Sequence, residues 1–207
     1  MKVVLEQITK KFNREWIFKN VNLEFISGDR VAVLGSNGSG KSTIIQIISG
    51  YLTPSNGRIS WENESGKIAA GNIYRYLSIC APYLQQDDEL TLRENVAFFL
   101  KFKTLRNQIG IEEFAQIVQL EKNLDKPLKF YSSGMRQRVK LGLAILADTP
   151  LLLLDEPTSH LDKKGIEWYQ TLLRENAGER TIFVASNSEE TETFICDKKI
   201  FIEQYKS

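Results

Sequence analysis

The sequence has little that would place it in a membrane, outside a cell or on a nucleic acid. No apolar run approaches the roughly 20 residues needed to cross a bilayer. Met1-Lys2-Val3-Val4-Leu5-Glu6-Gln7 carries charge where a secretion signal needs an apolar core, so no such signal is expected. Cysteine is limited to Cys80 and Cys196. They lie far apart among apolar residues, which fits reduced core thiols better than a disulfide or a metal site. The chain is therefore expected to be intracellular, with any membrane role exerted through a partner. Lysine and arginine total 27 against 26 acids, a net charge of +1, so electrostatics give no reason to expect a nucleic-acid partner. Histidine occurs once, as His160. There is no internal repeat, low-complexity tract or obvious linker.

What remains is ordinary soluble composition, 42% hydrophobic and 26% charged over 207 residues. That length suits one large domain or two small ones. The most informative stretch is Gly35-Ser36-Asn37-Gly38-Ser39-Gly40-Lys41-Ser42, with Thr43 next. It reads G-x-x-x-x-G-K-S, the phosphate-cradling loop of nucleoside triphosphatases. Val31-Ala32-Val33-Leu34 before it reads as a buried strand. The apolar run after it reads as a helix closed by Gly50. Glycines let backbone N–H groups approach phosphate oxygens, and the helix start adds a positive dipole end. Lys41 can reach β- and γ-phosphates, and Ser42 can place its hydroxyl on Mg²⁺. The site points to ATP and Mg²⁺.

Further strands are expected at Val3-Val4-Leu5, Val21 to Phe25, Arg58 to Trp61 and Tyr76 to Ile79. Thr53-Pro54-Ser55-Asn56-Gly57 is a dense turn signal. Thr91-Leu92-Arg93-Glu94 reads as a capping box, and residues 91–147 as largely helical. Phe98, Phe99 and Phe102 form either a buried helix face or part of a partner surface. Leu151-Leu152-Leu153-Leu154 reads as a strand buried on both faces of a parallel sheet. Thr181 to Ala185 reads as another. A crossover helix between them has Trp168, Leu172 and Leu173 as candidate core. Asp155 and Glu156 then stand at the carboxyl end of a buried strand, where open α/β sheets place ligands. Asp155 can hold Mg²⁺, and Glu156 can orient and deprotonate an attacking water.

Tyr131-Ser132-Ser133-Gly134-Met135-Arg136-Gln137-Arg138 resembles the signature loop of ATP-binding-cassette (ABC) ATPases, usually Leu-Ser-Gly-Gly-Gln. Leu-Leu-Leu-Leu-Asp-Glu-Pro-Thr follows, then Ser159-His160-Leu161-Asp162, which resembles the D-loop. The resemblance covers essentially the whole chain. It implies an α/β fold: a P-loop NTPase core with a mostly parallel sheet, an N-terminal antiparallel β-subdomain and an inserted α-helical subdomain. Residues 1–207 would form one ATPase domain, with 1–80 and 148–207 as core and β-subdomain and 85–147 as helical subdomain. Two cassettes would pack head to tail, most simply as a homodimer. Ser132, Ser133, Gly134 and Met135 would then face the partner's ATP, with Asp162 linking the two sites. Phe12 would stack on adenine, with Trp16 as rival and a core role as the alternative for Phe12. The transport path would be a separate transmembrane permease, and the cassette would lie on the cytoplasmic face of the membrane. The runner-up is a soluble ABC-type ATPase outside transport, serving iron–sulfur assembly or translation.

The chain departs from the family pattern in three places. The signature carries Ser133 and Met135 where glycine and glutamine are usual. Spacing puts Pro82, or nearly Tyr83, where a Mg²⁺-ligating glutamine is usual, with Gln85 and Gln86 as substitutes only if the loop is rerouted. Ser186-Asn187-Ser188 replaces the Thr-His-Asp switch segment. Asn187 can donate to a γ-phosphate but carries neither proton nor charge near neutral pH. His160 is read as a surface or interface residue. These departures lead to an expectation of normal ATP binding with slow hydrolysis.

Overall fold

A computed structural model describes residues 1–187 and 190–206. Ser188, the end of the switch-like segment, lies outside the described residues.

Two sheets organise the chain. The first is antiparallel, built from β1 (Lys2–Phe12), β2 (Glu15–Phe25), β4 (Asn56–Asn63) and β5 (Gly66–Ile68), in the order β2-β1-β4-β5. Val3, Leu5, Ile8, Phe18, Val21 and Trp61 turn their apolar side chains inward from it. The second sheet is parallel, with the order β6-β7-β8-β3-β9. Its strands are β3 (Arg30–Leu34), β6 (Leu77–Cys80), β7 (Leu151–Asp155), β8 (Thr181–Ser186) and β9 (Lys198–Phe201). All residues of β7 and β8 are buried, as a strand covered on both faces must be.

One face of the parallel sheet packs against α1 (Lys41–Ile48) and the antiparallel sheet. The other packs against α4 (Ser133–Leu146) and α5 (Lys163–Asn176), with α2 (Leu92–Leu100) and α3 (Ile111–Ile117) beyond. A short helix, α6 (Glu190–Thr193), precedes β9. The expected capping box is formed: Thr91 accepts from the Glu94 N–H, and Glu94 accepts in return from the Thr91 N–H. Asn95 is buried and donates to Asp87, Leu90 and Thr91 carbonyls, which pins the loop before α2.

One reading is overturned and another is extended. Phe98 and Phe102 are 56% and 59% exposed, so they do not form a buried helix face. Phe98 is on α2 and Phe102 just past its end, and their rings meet edge to face with centroids 5.1 Å apart. On α5, Tyr169 is the fully buried aromatic beside Leu172 and Leu173, while Trp168 is half-buried and donates its indole N–H to the Ile117 carbonyl. Trp168 packs against the core cluster as expected, with Tyr169 as a further, fully buried core ring beside it.

Candidate active site

Strand order decides which loops meet. β8 lies between β3 and β7, and the registers Leu34↔Ser186 and Asp155↔Ala185 bring the carboxyl ends of all three to one level. Gly35, Asp155 with Glu156, and Asn187 are the residues at or just past those ends.

The loop at residues 35–40 turns on glycine for a steric reason. Gly40 sits at φ +108°, and a Cβ there would lie 2.6 Å from Ile17 Cγ2. Helix α1 starts immediately after it with no side-chain cap, leaving the N–H groups of its first turn for an anion. Lys41 is buried. Its Nζ donates to the Gly35 carbonyl at 2.8 Å, the Ser36 carbonyl at 3.0 Å and Asn187 Oδ1 at 2.5 Å. The Lys41 ammonium thus folds back across its own loop and onto the β8 end. Ser39 is fully buried and its hydroxyl has no partner among the described residues. Asn37 and Gly38 are exposed; Ser42 and Thr43 are half-buried in the first turn of α1.

Asp155 is 1% exposed, and among the described residues neither carboxylate oxygen makes a hydrogen bond of normal geometry. Burial raises its pKa to about 6; the nearby Ser42 hydroxyl lowers it, while Glu156 adds to the rise. A buried carboxylate beside a serine hydroxyl fits a hard divalent cation such as Mg²⁺. Glu156 follows at φ +49°, left-handed backbone that a non-glycine residue adopts at some cost. Its N–H is held by the Ala185 carbonyl, so the strain is fixed by the β8 edge.

Tyr83 occupies the region expected to hold a magnesium-binding glutamine. Its phenol pKa is raised, first by burial and then by the Asp155 charge, against a hydrogen bond with Gln46. Gln85 and Gln86 instead line a cleft against α4 with Lys140 and Arg136.

Ser132 caps α4, accepting from the Met135 N–H at 3.2 Å. Ser133, Gly134 and Met135 open that helix. With His160 and Asp162 they line a cleft of about 520 Å³ that includes no phosphate-loop residue. A Cβ on Gly134 would lie 3.1 Å from the His160 carbonyl, so this turn packs directly on the segment after β7. His160 is exposed, as expected for a surface residue. Asp162 accepts from the Gly165 N–H at 2.8 Å and caps α5, a local duty the D-loop resemblance did not anticipate. Gln137 donates to the Pro157 carbonyl at 2.8 Å, tying α4 to the β7 end. Phe12 and Trp16 are 45% and 43% exposed at the tip of the β1–β2 hairpin, which overturns the core alternative for Phe12. Lys10 lies over the Phe12 ring, and Lys11 and Lys19 lie near Trp16.

Sequence reasoning missed two groups. Glu192 is buried and accepts from the Thr158 N–H and hydroxyl at 3.0 and 2.6 Å. Glu203 accepts from the Ser36 N–H and hydroxyl at 2.6 and 2.9 Å. Neither lies in a motif, and each acts on a residue far away in sequence.

Residues 18–159, from β2 through the segment after β7, match the family described as ABC transporter. The chain belongs to the ABC transporter family. It is an ATPase cassette of the ABC type, with that family's P-loop α/β fold. Among relatives, it is 33% identical to the polysialic acid transport ATP-binding protein KpsT of Escherichia coli, covering 96% of this chain and 86% of that one. It is 32% identical to the mouse ABC-type organic anion transporter ABCA8B, over 96% of this chain and 13% of that protein. The chain spans only 12–13% of the length of the first curated relatives. A dimeric structure of MJ0796, a bacterial ABC transporter cassette, superposes with a TM-score of 0.81 at 27% identity, covering 96% of this cassette and 93% of that chain.

Proposed function

We propose that this cassette is the ATP-binding and ATP-hydrolysing subunit of an ABC transporter, working as a head-to-tail dimer on a separate transmembrane permease. The observation that carries the reading is the split site. Lys41, Asp155, Glu156 and Asn187 gather at one end of the sheet, while Ser132, Ser133, Gly134 and Met135 line a different cleft. One chain holds two halves that complete each other only between two chains.

In this reading residues 35–43 cradle the triphosphate, with Lys41 leaving its carbonyl partners for phosphate oxygens. Ser42 and Asp155 hold Mg²⁺, which when bound supplies charge neutralisation at the phosphates. Glu156 orients a water and takes its proton. Asn187 donates an amide hydrogen to the γ-phosphate. The signature N–H groups close on the partner's nucleotide, and Asp162 lies at the seam. Phe12 stacks on adenine, with Trp16 beside it on the same hairpin tip. Residues 85–147 act as the helical subdomain against a core of 1–80 and 148–207. Hydrolysis is slow because position 187 holds an amide and Tyr83 stands where a magnesium-binding glutamine is usual.

Among the described residues no helix is long and apolar enough to cross a membrane. Membrane attachment in this reading is peripheral, on the cytoplasmic face. Phe98 on α2, Phe102 just past its end, and Tyr51 are exposed aromatics available to the permease.

The test is Glu156→Gln, which keeps the side chain's shape but removes the base. With Mg-ATP its mass by light scattering is expected to double while turnover falls at least 100-fold. A monomer at saturating Mg-ATP would remove the head-to-tail arrangement.

A further inference from the structure

Glu203 lies outside every motif yet touches the phosphate loop. It sits on the turn Ile202–Tyr205, where Ile202 is fully buried and Tyr205 packs on the same core. This anchoring presents the carboxylate to a loop 167 residues earlier in the chain. Glu203 Oε1 accepts from both the Ser36 N–H, at 2.6 Å, and the Ser36 hydroxyl, at 2.9 Å. The fit is close: a Cβ on Gly35 would lie 2.9 Å from Glu203 Oε2. From the other side, Lys41 takes the Gly35 and Ser36 carbonyls. The Ser36 residue is thus held through its N–H by an acid and through its carbonyl by the lysine. Lys206 adds a long contact, 3.4 Å, to the Gly38 carbonyl.

We infer that Glu203 is a positioning residue of the phosphate loop, bracing it at Ser36 while its negative charge weakens the loop's grip on nucleotide phosphates. The bracing follows from geometry. Two donors of one exposed loop residue share one anchored acceptor, which narrows the conformations the glycine-rich turn can sample. The restraint follows from charge, because a carboxylate fixed on the loop repels the phosphates the loop attracts. Its pKa is lowered, first by the Ser36 N–H and then by the Ser36 hydroxyl, so it stays ionised at neutral pH. The inference rests on the proposed nucleotide role of residues 35–43.

The experiment is equilibrium titration of the full chain with ATP in Mg²⁺. It compares the parent protein with Glu203→Gln, Glu203→Ala and Lys41→Ala, at about 0.01 M and about 1 M salt, where the Debye length is about 30 Å and about 3 Å. Glutamine keeps an acceptor oxygen for Ser36 and removes the charge. It is expected to bind ATP about two- to fivefold tighter than the parent at low salt, with the gap closing at high salt. Alanine removes both functions and is expected to bind more weakly than glutamine at both salts. Glutamine matching the parent at low salt would overturn the electrostatic restraint, and alanine matching glutamine at high salt would overturn the brace. Parent-like binding by Lys41→Ala would instead sink the nucleotide reading itself, which separates the two failures. A thermal melt of Glu203→Gln matching the parent's is expected, so its affinity change is not one of folding.

Discussion

The two ends of the parallel sheet are built on opposite principles. At the amino end Arg180 is 2% exposed, and its guanidinium is almost fully used. It donates to the Ile145 carbonyl at 2.6 Å, to Ser78 Oγ at 2.8 Å and to Thr149 Oγ1 at 2.9 Å, leaving only Nε without a partner. Ile145 lies in the last turn of α4, so a cation there also meets the negative end of a helix dipole. Ser78 and Thr149 lock the same knot from β6 and the approach to β7. At the carboxyl end Lys41 is engaged, but other buried polar atoms are left open. Among the described residues neither buried oxygen of Asp155 has a hydrogen bond of normal geometry, the Ser39 hydroxyl has no partner, and Glu156 stands in left-handed backbone. One end stabilises the fold. The other holds strain and unmet hydrogen-bonding capacity where open α/β sheets receive ligands.

The largest effect that would test this contrast is at the satisfied end. Arg180→Ala leaves the α4 carbonyls, Ser78 and Thr149 without their donor and opens a cavity. It is expected to lower unfolding free energy by about 3–5 kcal/mol in chemical denaturation. A loss under about 1 kcal/mol would mean that the knot is ornamental and the contrast false.

At the open end the sign should reverse. Asp155 has a folded pKa of about 6 against an ordinary 3.8, because burial penalises its charged form. A raised acid pKa means that the folded state binds the proton more tightly. Its contribution to stability therefore falls as pH rises from about 4 through about 6, and the full penalty remains at pH 7. Asp155→Asn removes that charge. Without nucleotide it is expected to be more stable than the parent by about 1–3 kcal/mol at pH 7, with the gain fading below about pH 4. ATPase activity should be lost in the same variant. A destabilised Asp155→Asn at pH 7 would show that the carboxylate is already satisfied.

What could be read beforehand follows the same division. Gly35 to Ser42, Asp155 with Glu156 and the Thr91 capping box are local patterns, in which chemistry and spacing sit within a few residues. Glu203 and Arg180 could not be read this way. Glu203 meets Ser36 across 167 residues, and an arginine in Gly178-Glu179-Arg180 reads as a solvated turn until β6 and α4 close over it. Tyr169 was not singled out because it adjoins Trp168, which also packs on the core. Tyr83 was in view only as a spacing coincidence, since its relation to Asp155 depends on how residues 81–86 leave β6. Asp162 was assigned to the seam between cassettes, and its capping of α5 emerges only once the helix start is known.

The smallest expected effect separates the two proposed causes of slow hydrolysis. Asn187 Oδ1 accepts from Lys41 Nζ at 2.5 Å, so the amide is already engaged with the lysine that must reach phosphate. A neutral histidine at this position can accept from Lys41 with one nitrogen and donate toward the γ-phosphate with the other. It also brings a group that titrates near pH 6.5. Asn187→His is therefore expected to raise turnover about three- to tenfold, roughly 1 kcal/mol in barrier, with a pH dependence near that value that the parent lacks. ATP affinity should change less than turnover, because Lys41, Asp155 and the loop are untouched. If turnover stays at the parent rate while Tyr83→Gln raises it, the limit lies at the tyrosine beside Asp155, and the amide at 187 is a tolerated substitute. If neither substitution changes the rate, slow hydrolysis has no basis in these two positions. The open end of the sheet would then be limited by something both share, of which the strained Glu156 is the nearest candidate.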